Sequence, residues 1–293
     1  MKTLFTTCFL LIVCGAESVH AQTSQPTLLT EENSQRAVAV DTVTRVRHPF
    51  SVVPALRWGN DRRTRLSLFG TNLDLLPGET ALAVTASARD SLSRTVSLKV
   101  ESVGKVQGVD SLTQVIVRLP DALAQAGDVW VSVSLRGQTS NEVLVSIAVQ
   151  TEPRIATLLA RRIINEVDNY VDATFSFEFG INGKDAVSLT RNDWDIEFGN
   201  SPDHDDFNVT MVVDDCSRMQ DMGALNWSDS FQIPVLPAYP VPTRDPSVPA
   251  VVGHMYVVHT KDTETDLYFL FRVEALDPKK SVTVSWKSVR SPE

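Results

Sequence analysis

From about residue 38 onward, apolar and polar positions alternate with a period of two, in short runs broken by Gly, Pro, Asn and Asp. That is the pattern of half-buried strands joined by turns. Leu66 and Leu68 lead into the turn Gly70-Thr71-Asn72-Leu73, where Gly70 is expected to supply a positive φ. Residues 82–84 form a second strand, and Val96, Leu98 and Val100 alternate with Ser97 and Lys99 in a third. Residues 115–119 run into Pro120, which cannot donate to a ladder and so marks a strand end. Val129, Val131, Val133 and Leu135 alternate with Trp130, Ser132 and Ser134, and residues 136–139 turn the chain back into 143–147. About seven such strands predict an antiparallel β-sandwich over residues 38–150.

The pattern changes at 151–169. Ile155, Leu159, Ile163 and Val167 fall four apart, which predicts a short amphipathic helix over 155–167; the doublets Leu158-Leu159 and Ile163-Ile164 suit a linker strand instead. Period two then returns in a second antiparallel β domain over 170–293. Phe175, Phe177 and Phe179 share one face. Trp194, Ile196 and Phe198 alternate with Asp193, Asp195 and Glu197, predicting an apolar inner face and an acidic outer one. Asn182-Gly183 is a hairpin signal. Residues 254–260, 267–275 and 281–289 read as a three-stranded meander. The fold class expected is therefore all-β, an immunoglobulin-like sandwich followed by a second antiparallel β domain with a short helix between them.

The N-terminus reads differently. Lys2, the apolar residues 4–13 and the small-residue site ending at Val19-His20-Ala21 have the layout of a secretory signal peptide over 1–21. The apolar run falls short of the ~20 residues of a membrane-spanning helix. Residues 11–15 also approach a lipobox, which would place a lipid anchor at Cys14, although Val13 replaces the small residue expected before it. Residues 22–37 are polar and aperiodic and predict a disordered leader. The chain is expected to be exported to the periplasm, cell surface or medium.

Two resemblances sharpen this reading. Residues 65–73 (RLSLFGTNL), 115–120 (VIVRLP) and 126–144 resemble the successive strands of bacterial IPT/TIG immunoglobulin-like domains in order and spacing. This implies a spacer or adhesion module without an active site of its own. Residues 193–198 (DWDIEF), 252–260 (VGHMYVVHT) and 269–273 (FLFRV) are similar to strands of HmuY-like haem-binding proteins of bacterial surfaces. The second resemblance implies a β-rich recognition domain, with haem as its implied ligand. The usual Gly-containing hairpin is replaced by Asp266-Leu267-Tyr268, and residues 234–249 look like a Pro-rich insertion.

Composition narrows the chemistry. Apolar residues make up 43% of the chain, enough for two cores, and the formal net charge of -9 argues against nucleic acid, whose phosphates require clustered Lys and Arg. Of the cysteines only Cys216 lies beyond the signal region, so the processed chain has no intrachain disulfide. His254, His259 and Met255 are the candidate haem ligands, since His/Met ligation suits haem iron. His254 and His259 are five apart on a strand and should face opposite ways; core packing is the competing role for the methionine. Asp203, Asp205 and Asp206 are candidate cation ligands in an acidic loop, without the spacing of an EF-hand. No nucleophile elbow, zinc-protease signature or Cys-His signature occurs. The expected function is a non-catalytic display or binding protein whose partner is a surface protein or glycan. A haem-binding protein and a secreted hydrolase with a concealed carboxylate pair are the alternatives.

Overall fold

A computed structural model describes residues 24–54, 62–164, 167–182, 194–199, 204–209, 211–212, 215–236, 247–261 and 265–292. The signal-peptide region and the Cys14 lipobox, the Asn182-Gly183 turn beyond Asn182, and Asp193 and Asp203 lie outside these residues. The architecture is all-β and antiparallel, with sheets arranged as two successive sandwiches. Among the described residues no helix is long and apolar enough to cross a membrane.

The first sandwich is built from β1 (Thr27–Leu28), β2 (Ala39–Asp41), β3 (Arg65–Thr71), β4 (Val84–Arg89), β5 (Thr95–Val106), β6 (Val109–Arg118), β7 (Asp128–Leu135), β8 (Gln138–Thr139) and β9 (Val143–Ser146). β5 joins its two layers. Residues 95–98 pair with β4, whereas residues from Lys99 onward pair with β6, with an irregularity between Val100 and Ser102. The strand therefore bends from one sheet into the other, and Leu66, Leu68, Val115 and Val117 of one layer meet Val131, Val133, Val143 and Val145 of the other. Period-two alternation dictates this core, because every second residue of β7 is buried.

Two expectations for this region are corrected. Residues 24–37 are not a disordered leader: β1 pairs with β3, Leu28 is buried, and its backbone N–H and C=O bond the Asn141 amide at 2.8 and 3.1 Å. Gly70 is needed for close approach, not for a positive φ. A Cβ there would lie 2.6 Å from the Thr27 carbonyl oxygen, and the left-handed conformation falls on Asn72 instead.

The second sandwich begins with β10 (Arg154–Leu159), β11 (Ile163–Ile164), β12 (Val167–Asp168) and the single helical turn α1 (Tyr170–Ala173). Then come β13 (Thr174–Ser176), β14 (Ile181–Asn182), β15 (Ile196–Phe198), β16 (Asp206–Val209), β17 (Met211–Val212), β18 (Asp215–Cys216), β19 (Arg218–Ala224) and β20 (Val248–Pro249). The expected meander closes it as β21 (His254–Lys261), β22 (Asp266–Asp277) and β23 (Ser281–Val289). The larger sheet runs β10-β23-β22-β21-β19 and the smaller β14-β13-β15-β16-β20. Aromatic rings fill the space between them. Tyr256 stacks on Phe271 at 4.8 Å, Phe207 meets Phe271 edge-on at 5.0 Å, and Phe177 stacks on Phe269 at 5.4 Å.

The helix expected over 155–167 is not formed in the described part of that segment. Residues 154–159 pair along their length with β23, so backbone donors and acceptors that a helix would satisfy internally complete a sheet instead. Only Leu158 of β10 is fully buried, while Ile155 is 66% exposed. The acidic face of β15 is covered. Glu197 and Asp195 are buried, because Arg161 folds back to bond Glu197 at 2.7 Å and the Phe177 N–H donates to Asp195 at 2.6 Å. The outer face of the larger sheet is covered as well: Met255, Val257, Tyr268 and Leu270 pack under Trp227, Phe231, Ile233 and Leu236.

The strand assignment of β10 gives opposite results from a helix at two positions. Leu158→Ala should cost about 2–5 kcal/mol, and Ile155→Ala should fall within about 0.5 kcal/mol of the parent chain. Urea denaturation of the two variants tests this, and equal losses at both positions would restore the helix.

Candidate functional site

The two sandwiches meet across a set of charged groups taken out of water. Arg63 stands just before β3 with its side chain 1% exposed. Its guanidinium forms a two-pronged bond with Asp121, in the short turn after Pro120, and reaches across to Glu178 of the second sandwich at 2.6 Å. Arg62 approaches Glu178 at 3.7 Å, the Thr265 hydroxyl donates to it at 3.1 Å, and the Asp266 backbone N–H donates to Asp121 at 2.5 Å. Burial works to lower the Arg63 pKa, but Asp121 and Glu178 outweigh it and keep the guanidinium charged. Burial pushes the Glu178 carboxyl above its usual range, and the two arginines offset only part of that.

A second set of bonds lies further along the junction. The Ser288 N–H donates to the Gln150 side chain at 3.2 Å, and Gln150 donates to the Trp286 carbonyl at 3.4 Å. Arg290, following β23, pairs with Asp90 of the first sandwich, whose side chain is wholly inaccessible. Burial opposes the Asp90 charge, but hydrogen bonds from the Arg94 side chain and from the backbone of Arg94 and Leu92, with the charge of Arg290, hold its pKa down at about 2.

Between these contacts opens a cleft of about 590 Å³. Residues 51–54, Gln125 and Val149 line it from the first sandwich; Arg154, Phe177, Phe179 and Trp286 line it from the second. The Arg154 guanidinium lies 5.4 Å from the Trp286 ring centroid. Gly180 makes this arrangement fit: its φ is +64°, and a Cβ there would come within 2.9 Å of the Trp286 ring. The volume is that of a small-molecule site, and apolar walls with a few polar groups are the usual composition of one.

The residues singled out from the sequence lie elsewhere. Met255 and His259 share the outer face of β21, and His254 has the opposite parity. Met255 is completely buried beneath the segment carrying Trp227 and Phe231. His259 bonds Asp266 at 2.7 Å and stacks on Tyr268, while His254 bonds Asp221 at 2.9 Å. Four residues of strand separate Met255 from His259 by roughly 13 Å, so the two cannot flank one iron, and these residues do not fit a haem site. Asp205 accepts the Lys279 N–H at 2.6 Å, whereas Asp206 is buried, its pKa raised chiefly by desolvation. Among the described residues no group of three or more His, Cys, Asp or Glu side chains is arranged to hold a metal ion.

The cleft is not legible in the sequence as a site, because its residues are scattered from 51 to 288; Phe177 and Phe179 register there only as part of a strand face. The nearest signals were the run Arg62-Arg63-Thr64-Arg65 entering a buried strand and Arg154 directly after Pro153.

Two predictions concern the junction. Arg63→Ala leaves Asp121 and Glu178 buried beside each other without their shared cation and should cost about 3–5 kcal/mol, read as a lower urea midpoint. Asp90 has a pKa of about 2 in the fold against an ordinary 3.8, so its contribution is fully present above about pH 4 and is lost as pH falls towards 2. Asp90→Asn should therefore melt below the parent chain at pH 7 and converge with it near pH 2. A constant gap in Tm across that range would contradict the assignment.

No family model matches the chain, and the comparison with curated proteins returns no match.

Proposed function

We propose that this is a non-catalytic binding protein acting outside the cytoplasm, which holds its ligand in the cleft between the two sandwiches. The observation that carries the proposal is the cleft itself: about 590 Å³, with walls drawn from both sandwiches. The ion pairs of Arg63 and Arg290 hold those walls in fixed relation, so ligand binding need not first order the site. On this reading the first sandwich is more than a spacer, since its 51–54 and 148–150 segments form one side of the site.

The arrangement of carboxylates supports binding over hydrolysis. Glu178 is the one acidic side chain on the described wall of the cleft, and Arg62, Arg63 and Thr265 hold it. A glycosidase needs two carboxyl groups facing each other across the bond to be cleaved, one free to accept or donate a proton. Export remains the reading of the N-terminal sequence pattern.

A thermal-shift screen of the purified protein against glycans, haemin, calcium and small organic acids tests the proposal. A ligand at about 100 times its Kd should raise Tm by roughly 5 °C or more. Val149→Trp, at a half-exposed position on the cleft wall, should abolish that shift without lowering the Tm of the free protein. Hits indifferent to Val149→Trp would remove the cleft as the binding site.

A further inference from the structure

We infer that the cleft takes a flat apolar molecule bearing a carboxylate, with Arg154 as the group that recognises the anion. This deepens the binding reading above and rests on it. Arg154 is the cation of the cleft wall, it is exposed, and among the described residues no carboxylate pairs with it. Its recorded contact is with the Trp286 ring, which restrains the guanidinium without consuming its hydrogen-bonding edge. Glu178, which would otherwise cancel that charge, is already satisfied by Arg62 and Arg63. A protein of net charge -9 thus keeps an uncompensated positive charge on the wall of this cleft.

The rest of the wall sets the body of the ligand. Phe179, Val53 and Val149 offer apolar surface beside the guanidinium. A planar ring can lie against such side chains while its carboxylate meets the two-pronged Arg154 fork, the geometry in which arginine binds carboxylates best. A neutral sugar would leave Arg154 unanswered, and a bare inorganic anion would leave the aromatic wall uncovered. An aryl carboxylate matches both features.

Isothermal titration with 2-naphthoate and 2-naphthamide, equal in size and shape but differing in charge, provides the test. The carboxylate should bind more tightly by roughly tenfold or more, the worth of one charge-assisted hydrogen bond. Arg154→Gln should erase that preference while leaving the Tm of the free protein in place, and Arg154→Lys should restore part of it. Equal affinity for the two probes, undiminished naphthoate binding by Arg154→Gln, or no saturable naphthoate binding would overturn the inference. The two levels of failure separate cleanly. If a screening hit is lost in Val149→Trp while naphthoate shows no dependence on Arg154, the cleft stands and the carboxylate inference falls. If no ligand responds to Val149→Trp, the cleft itself falls.

Discussion

A guanidinium buried between two β-sandwiches has no water to bond, so the positions of its carboxylate partners become conditions on the whole fold. Arg63 sets such conditions on elements distant in sequence. The turn after Pro120 must present Asp121 with both oxygens, and the turn after β13 must present Glu178 from the other sandwich. The start of β22 must also arrive with the Asp266 N–H aimed at Asp121. Removing two carboxylates and a guanidinium from water costs several kcal/mol per ion, and only good geometry offsets that cost. Such an assembly is weak evidence for stability and better evidence for a fixed relation between its parts. The cleft follows from that relation: Glu178 lies on its wall, as does Gln150, whose side chain bridges to β23.

Most strands were legible because sandwiches impose a strict period of two on residues that meet a core. β7 and the β21–β23 meander show this clearly. Legibility failed where periodicity lacks force. β10 is an edge strand with apolar residues on both faces, so Ile155 and Leu159 imitate a helical stripe although both are largely exposed. β1 is two residues long, too short for any period to register. In β15 the alternation was read correctly but its environment was not. A pattern tells which side chains share a face, not what lies over that face, and Arg161 turned an acidic surface into a buried ion pair.

The same limit governs the site. The histidines, the methionine and the aspartates stood out because they are chemically distinctive and close in sequence. The structure gives them ordinary duties: Met255 fills a small outer core, His254 and His259 hold aspartates, and Asp205 caps the turn at Lys279. The cleft is assembled instead from segments more than two hundred residues apart, which only tertiary structure brings together. Its distinctive group, Arg154, is notable for having no carboxylate partner among the described residues, a property invisible until neighbours are known.

The pairing of β10 with β23 has a mechanical consequence. These strands run antiparallel with Arg154 opposite Trp286, so the chain enters and leaves the second sandwich at the same end. Tension applied between the first sandwich and the residues after β23 would not stretch the meander lengthwise. It would fall first on the clasp formed by Asp90 with Arg290 and by Gln150 with Ser288. Once that clasp opened, the pull would peel β10 from β23 one pair at a time instead of shearing all the pairs at once. The second sandwich hangs beside the line of force, and its cleft keeps its shape under load for as long as Arg290 holds Asp90 and Gln150 holds Ser288.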